Sequence, residues 1–230
     1  MGNGHVRRYI GGKRPLKYFT EELWAECSDI LLKLNIDEGK GFEIFNIFSK
    51  IDKDESGTVD VEECLKFFGG KRTKFTSRIF EVLDNAKDGM SFIDFTTTMW
   101  NFCSLSTILM ARFIFEIFDV DNKGVLEVPD IEAMYRMLYD VDKHDQKVID
   151  TIKFDADGKV TKDNFMARVR SKKAIIRPAL EHQSRLRSSL GGLIMWESLT
   201  GYRKRYFSVF DTQVRFALLC RITYILVCHR

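Results

Sequence analysis

The sequence predicts an all-α protein of four helix–loop–helix units followed by a basic helical tail. Three observations predict it. Four glycines, Gly57, Gly89, Gly124 and Gly158, recur at intervals of 32, 35 and 34 residues, the period of a two-helix repeat. Each sits in a short acidic segment. The flanks of these segments carry apolar residues at helical spacing: Phe42, Phe45 and Phe48 before Gly57, and Leu65 and Phe68 after it. Ile114, Phe115 and Phe118 precede Gly124, and Ile131, Met134, Met137 and Leu138 follow it in the same way. Ahead of the first unit, Thr20 followed by Glu21 and Glu22 reads as an N-cap with acids in the first turn of a further helix.

The segment Asp52–Glu63, DKDESGTVDVEE, carries the most chemistry. Asp52, Asp54, Ser56 and Asp60 occupy its first, third, fifth and ninth places, and Glu63 the twelfth. This is the ligand spacing of an EF-hand calcium loop. A hard divalent cation takes about six to eight oxygens. Asp52, Asp54 and Ser56 offer side-chain oxygen, Thr58 its carbonyl, Asp60 a direct or water-bridged contact, and Glu63 both carboxylate oxygens. Gly57 stands at the sixth place, where the chain turns sharply and positive φ is needed. Val59, at the eighth, is placed to form a short strand against a partner loop.

The other three loops are graded departures. The second, Asp84–Phe95, lacks one residue; Ala86 falls at its third place and Asp94 at its end, so a structural role beside the first loop is expected rather than a metal. The third, Asp119–Asp130, is a weaker metal candidate through Asp119, Asp121, Glu127 and Asp130. Lys123 puts a cation at its fifth place, and Asp130 is shorter than the usual glutamate. An empty or magnesium-leaning site is the alternative there. Pro129 falls in the first turn of the exiting helix, which tolerates it. The fourth, Lys153–Asn164, loses both ends of the ligand set and is expected to be empty, its Asp155, Asp157 and Asp163 forming a solvated face.

Composition bounds the rest. A chain of 230 residues with 45% hydrophobic content is globular. Its five cysteines, Cys27, Cys64, Cys103, Cys220 and Cys228, are scattered and form no C-x-x-C pair, which reads as reduced thiols in a cytoplasmic protein. No N-terminal apolar stretch resembles a secretory signal. Charge is segregated: residues 1–18 hold five basic and no acidic residues, 19–170 hold 20 basic and 30 acidic, and 171–230 hold 11 basic and 3 acidic. The organisation that follows is a basic arm (1–18), an N-terminal lobe of two units (19–103), a C-terminal lobe of two units (104–170) and a basic amphipathic tail (171–230).

The four-glycine period and DKDESGTVDVEE resemble the calcineurin B and neuronal calcium sensor group of EF-hand proteins over about residues 19–170. The resemblance implies two EF-hand lobes, calcium as the cofactor, no catalysis of its own, and regulation of a protein target through an apolar groove. Many members carry an N-myristoyl group. Gly2 is present here, with Val6 where Ser or Thr is usual, and the nearby basic residues would add an electrostatic attraction to a membrane surface. A basic arm without lipid is the other reading.

The tail departs from the group. Leu186, Leu190, Leu193, Trp196 and Leu199 read as an apolar helix face interrupted at Gly191–Gly192. Two roles are open for it: occupying the protein's own groove, or completing the C-terminal lobe. The apolar run Ala217–Cys228 is too short to span a bilayer and is split by Arg221. No phosphate-binding G-x-x-x-x-G-K, G-x-S-x-G or H-E-x-x-H pattern is present, and His5, His144, His182 and His229 lie far apart in sequence. No nucleic-acid recognition motif accompanies the basic tail. The expectation is therefore a calcium-dependent regulatory protein with an amphipathic-helix target. A constitutive scaffold or a calcium buffer with a structural site is the alternative.

Overall fold

The structure is a computed structural model that describes residues 18–69, 73–83, 89–143, 146–150, 152 and 157–207. Helix α1 (Glu21–Lys33) starts as expected: the Leu23 amide donates to the Thr20 hydroxyl at 3.2 Å, and Glu21 and Glu22 complement the first turn. The four units follow in order. They are α2 (Glu38–Ile51) with α3 (Val61–Phe67), α4 (Lys74–Leu83) with α5 (Phe92–Cys103), α6 (Thr107–Phe118) with α7 (Val128–Tyr139), and α8 (Gln146–Ile149) with α9 (Lys162–Ser171). Side-chain caps define several starts. Asp37, Ser91, Ser106 and Thr161 each accept a hydrogen bond from the amide three residues on.

The loops meet in pairs. Val59 of the first loop and Met90 of the second exchange two backbone hydrogen bonds at 2.9 and 2.8 Å. In the second pair, β1 (Val125–Glu127) and β2 (Lys159–Thr161) run antiparallel with Leu126 opposite Val160. Val59, Met90, Leu126 and Val160 are all buried, so the strand contact of each pair is also a plug into the core below it. The second loop thus has the structural role expected of it.

Beneath the first pair, Phe45, Phe48, Phe92 and Phe95 pack edge to face with centroids 5.3–5.6 Å apart. Beneath the second, Phe115 meets Phe165 at 5.7 Å among Ile114, Ile131, Met134 and Leu138. One member of the predicted stripe is misplaced: Phe42 is 50% exposed. The buried face of α2 is set by Ile44, Phe45, Phe48 and Ile51, and Phe42 lies off that face, touching Phe19 at 5.8 Å. Cys27, Cys64 and Cys103, the described cysteines, are buried and form no disulfide among themselves.

After α9 the chain makes a 3₁₀ turn at Lys173–Ile176. It then forms α10 (Arg177–Ser189) and α11 (Gly192–Tyr206), separated by Gly191 at φ 77°. Leu186, Leu190, Trp196 and Leu199 are buried in the same core as the helices of the four units. Leu193 is not, at 46% exposed, and neighbouring Ile194 is 86% exposed. The break at Gly191 resets the helical phase, so Met195 rather than Leu193 turns inward. The tail therefore completes the core. Gly2 and the basic arm before Tyr18, and the run Ala217–Cys228, lie outside the described residues. Among the described residues no single helix is long and apolar enough to cross a membrane.

His182 on α10 is buried against the Phe102 ring at 6.0 Å. Burial, with Arg185 nearby, pushes its pKa down from 6.5 to about 4. The folded chain keeps His182 neutral while the unfolded chain protonates it. The stability it permits is complete above pH 6.5 and drains away as pH falls toward about 4. That loss reaches roughly 3 kcal/mol at 1.36 kcal/mol per pKa unit. Denaturant titrations at pH 7 and pH 4.5 should show a smaller pH-dependent loss for His182→Leu than for the natural chain.

Candidate metal centre

The first loop leaves α2 at Asp52, which is only 5% exposed. Its Oδ1 accepts from the Ser56 amide at 2.9 Å and its Oδ2 from the Gly57 amide at 3.0 Å. Asp54 Oδ1 accepts from the same Ser56 amide at 3.0 Å. These bonds curl the backbone, with Glu55 at φ 55° and Gly57 at φ 80°. The Ser56 hydroxyl lies 2.9 Å from the Thr58 carbonyl and 3.4 Å from Asp52 Oδ1. Four of the expected donors, Asp52, Asp54, Ser56 and Thr58, are thereby gathered round one concave stretch of chain.

Asp60 and Glu63 have a different task. The Glu63 amide donates to Asp60 Oδ1 at 2.8 Å, and the Asp60 amide donates to Glu63 Oε2 at 3.0 Å. This reciprocal capping box starts α3. It also holds Glu63 Oε2 at the helix start. Among the described residues no three acidic, histidine or cysteine groups converge tightly enough to hold a metal. The donor set fits a hard divalent cation: all oxygen, one backbone carbonyl and three carboxylates beyond Asp52. A cation held by both Glu63 oxygens would take Oε2 from the Asp60 amide.

Two carboxylates of the loop are shifted in opposite directions. Burial pushes Asp52 above its ordinary pKa against the pull of the Gly57 and Ser56 amides, and the neighbouring Asp54 carboxylate adds to the rise. Asp54 is held below its ordinary value, chiefly by the Ser56 hydroxyl. Paired carboxylates of this kind gain most from a positive charge between them.

The third loop repeats the backbone and changes the chemistry. Asp119 Oδ1 accepts from the Lys123 amide at 2.9 Å and Oδ2 from the Gly124 amide at 3.0 Å, with Asn122 at φ 57° and Gly124 at φ 75°. Here the fifth-place side chain is a cation. The Lys123 ammonium lies 2.5 Å from Asp121 Oδ2, and that pairing pulls the Asp121 pKa down and the Lys123 pKa up. Asp130 accepts from the Glu127 amide at 2.9 Å, the same helix-start duty that Glu63 performs. Asp119, Asp121, Glu127 and Asp130 are therefore arranged as in the first loop, but with a lysine among them.

In the second loop, Asp94 partners Ser91 at the start of α5, and Ala86 lies outside the described residues. In the fourth, Asp157 is exposed and pairs with Lys159 at 3.8 Å, Asp163 is exposed, and Asp155 lies outside the described residues. Two features escape motif reading. The fourth places of the first and third loops adopt positive φ; Asn122 signals this because Asn tolerates that region, whereas Glu55 carries no such signal. Gly89 is needed for contact as well as conformation, since a Cβ there would lie 3.1 Å from Thr58 Oγ1 and 3.2 Å from Thr58 Cβ.

Paired helix–loop–helix units joined by strand contacts at the eighth loop place define an EF-hand protein. Its relatives agree. The calcineurin B protein of Kluyveromyces lactis is 27% identical over 67% of this chain and 93% of its own length. The type 1 calcineurin B protein of Dictyostelium discoideum is 25% identical over 58% of this chain and 79% of its own. A calcium and calcium/calmodulin-dependent serine/threonine-protein kinase of Medicago truncatula is 31% identical over 52% of this chain but only 25% of the kinase. No family model matches. The chain is an EF-hand protein that resembles the calcineurin B group.

Gly89 and Gly124 separate backbone from contact. Both have positive φ, at 88° and 75°, but only Gly89 has a close neighbour. Gly124→Ala should cost about 1 kcal/mol from conformation alone. Gly89→Ala should cost measurably more in urea unfolding because Thr58 must move.

Proposed function

We propose that this chain is a calcium-binding regulatory protein, without catalysis of its own, that changes its contacts with a protein target when calcium fills the first loop. The observation that carries this reading is the gathering of Asp52, Asp54, Ser56 and Thr58 oxygens beside a Glu63 that is tied into the start of α3. The likeness to calcineurin B proteins supports it. Asp52, Asp54, Ser56, Thr58, Asp60 and Glu63 would hold the ion. The bound charge would offset the repulsion among their carboxylates.

The response runs through Glu63. Turning its carboxylate from the Asp60 amide into the loop removes half of the capping box and draws the first turn of α3 toward α2. A target carrying an amphipathic helix would read the altered α2–α3 surface. The third loop takes no part, because Lys123 already supplies a positive charge beside Asp121. One specific observation favours the scaffold alternative: the tail shares a continuous core with the EF-hand units, as a permanently assembled component would.

Calorimetric titration with calcium separates these readings. The natural chain should bind one calcium with a dissociation constant of roughly 10⁻⁷–10⁻⁵ M and show altered apolar-dye fluorescence. Glu63→Gln should weaken binding at least tenfold, while Asp119→Asn leaves the isotherm unchanged. Absence of binding by the natural chain defeats the proposal, and binding with no change in dye fluorescence favours the scaffold.

A further inference from the structure

The joint between the two EF-hand pairs is the three-residue link Ser104–Ser106, where α5 and α6 meet at 107°. A helix leaves its last four carbonyls without intrahelical donors. In α5 the Trp100 carbonyl still accepts from the Ser104 amide at 3.0 Å, and the carbonyls left over begin with Asn101, Phe102 and Cys103, all buried residues. The Ser104 hydroxyl adds a second bond to the Trp100 carbonyl at 2.6 Å, and the Leu105 amide reaches the Phe102 carbonyl at 3.4 Å. The Asn101, Phe102 and Cys103 carbonyls each receive a side chain from the tail, 81 to 102 residues away. Arg203 Nη1 donates to the Asn101 carbonyl at 3.1 Å, Gln183 Nε2 to Phe102 at 2.8 Å, and Arg187 Nε to Cys103 at 2.7 Å.

The same side chains continue across the joint. Gln183 Nε2 also donates to the Leu105 carbonyl at 3.0 Å, as does Arg187 Nη2 at 3.0 Å, and Arg203 Nη1 donates to the Ser104 hydroxyl at 2.9 Å. Arg203 is fully buried with its guanidinium over the Trp100 ring at 4.6 Å. The Trp100 indole in turn donates to the Leu34 carbonyl at 3.0 Å, and the Tyr202 hydroxyl donates to the Lys33 carbonyl at 3.3 Å. The two cations stand at the negative end of the α5 dipole. Arg187 also donates to Thr200 at 3.1 Å, tying α10 to α11.

We propose that α10 and α11 act as a staple that joins the two EF-hand pairs into one cooperative body, with Gln183, Arg187 and Arg203 as its prongs. The pairs then cannot swing independently about Ser104–Ser106. Any response to calcium at the first loop, a consequence that rests on the function proposed above, is confined to α3 rather than spread into a rearrangement of the two pairs.

Differential scanning calorimetry of the full chain tests the staple. The natural chain should unfold in one transition, with calorimetric and van't Hoff enthalpies equal, both in calcium and in chelator. The double variant Arg187→Ala/Arg203→Met should unfold in two transitions, as the pairs separate energetically. Gln183→Ala removes two hydrogen bonds and no charge; it should keep the fold and raise the ratio of calorimetric to van't Hoff enthalpy above one. A single two-state transition in both Gln183→Ala and the double variant, or two transitions in the natural chain, overturns the proposal. Calcium should shift only the lower-melting or only the higher-melting transition of the double variant. If calcium shifts neither, the first-loop reading fails, while the splitting still reports on the staple.

Discussion

The last residues of α5, Asn101, Phe102 and Cys103, are buried where two pairs of EF-hand units meet. Buried backbone acceptors need donors, and an orphaned one costs about 1–3 kcal/mol. Most helices meet this need locally. Here Phe102 has one long local bond, from the Leu105 amide at 3.4 Å, and Asn101, Phe102 and Cys103 all receive donors, Arg203, Gln183 and Arg187, from the far end of the chain. The requirement fixes the tail: α10 must lie along the joint to present Gln183 and Arg187. The Gly191 break must then return α11 so that Arg203 reaches the adjacent carbonyl. Burial of Leu190, Trp196 and Leu199 follows from that path.

The loops held by this joint differ by chemistry more than by shape. The first and third share the amide bonds to Asp52 and Asp119 and the left-handed residues at the fourth and sixth places. The fifth place separates them. Ser56 adds an oxygen to the first loop, whereas Lys123 adds a positive charge to the third. The degenerate loops persist as strand partners: Met90 plugs the core against Val59, and Val160 does so against Leu126. The first loop, the one proposed to hold a metal, is thus braced by its strand partner.

The repeat is legible in the sequence because glycines at positive φ and acids at fixed offsets are requirements of the loop itself. Gly57, Gly89, Gly124 and Gly158 all have φ between 75° and 88°, and the strand contact expected of Val59 is present. Expectation and structure part where a residue's place depends on helical phase. Phe42 falls off the α2 face set by Phe45 and Phe48, and Leu193 is turned outward by the break at Gly191. The tail's cations are harder to read. Lys and Arg are ordinarily solvated, so a basic run suggests a surface or an external partner. Gln183 and Arg187 stand four residues apart, flanking Leu186 on one helix face, and that spacing is the available signal. Arg203 offers none, because its acceptor exists only once α5 ends beside it.

Anchoring of the tail at the end of α5, as part of the fold, is tested most directly by amide hydrogen exchange across residues 92–206. Helices α10 and α11 should exchange as slowly as α5 and α6, in calcium and in chelator alike, because all four open only with the common core. Fast exchange through α10 and α11 while α5 and α6 remain protected would contradict that anchoring.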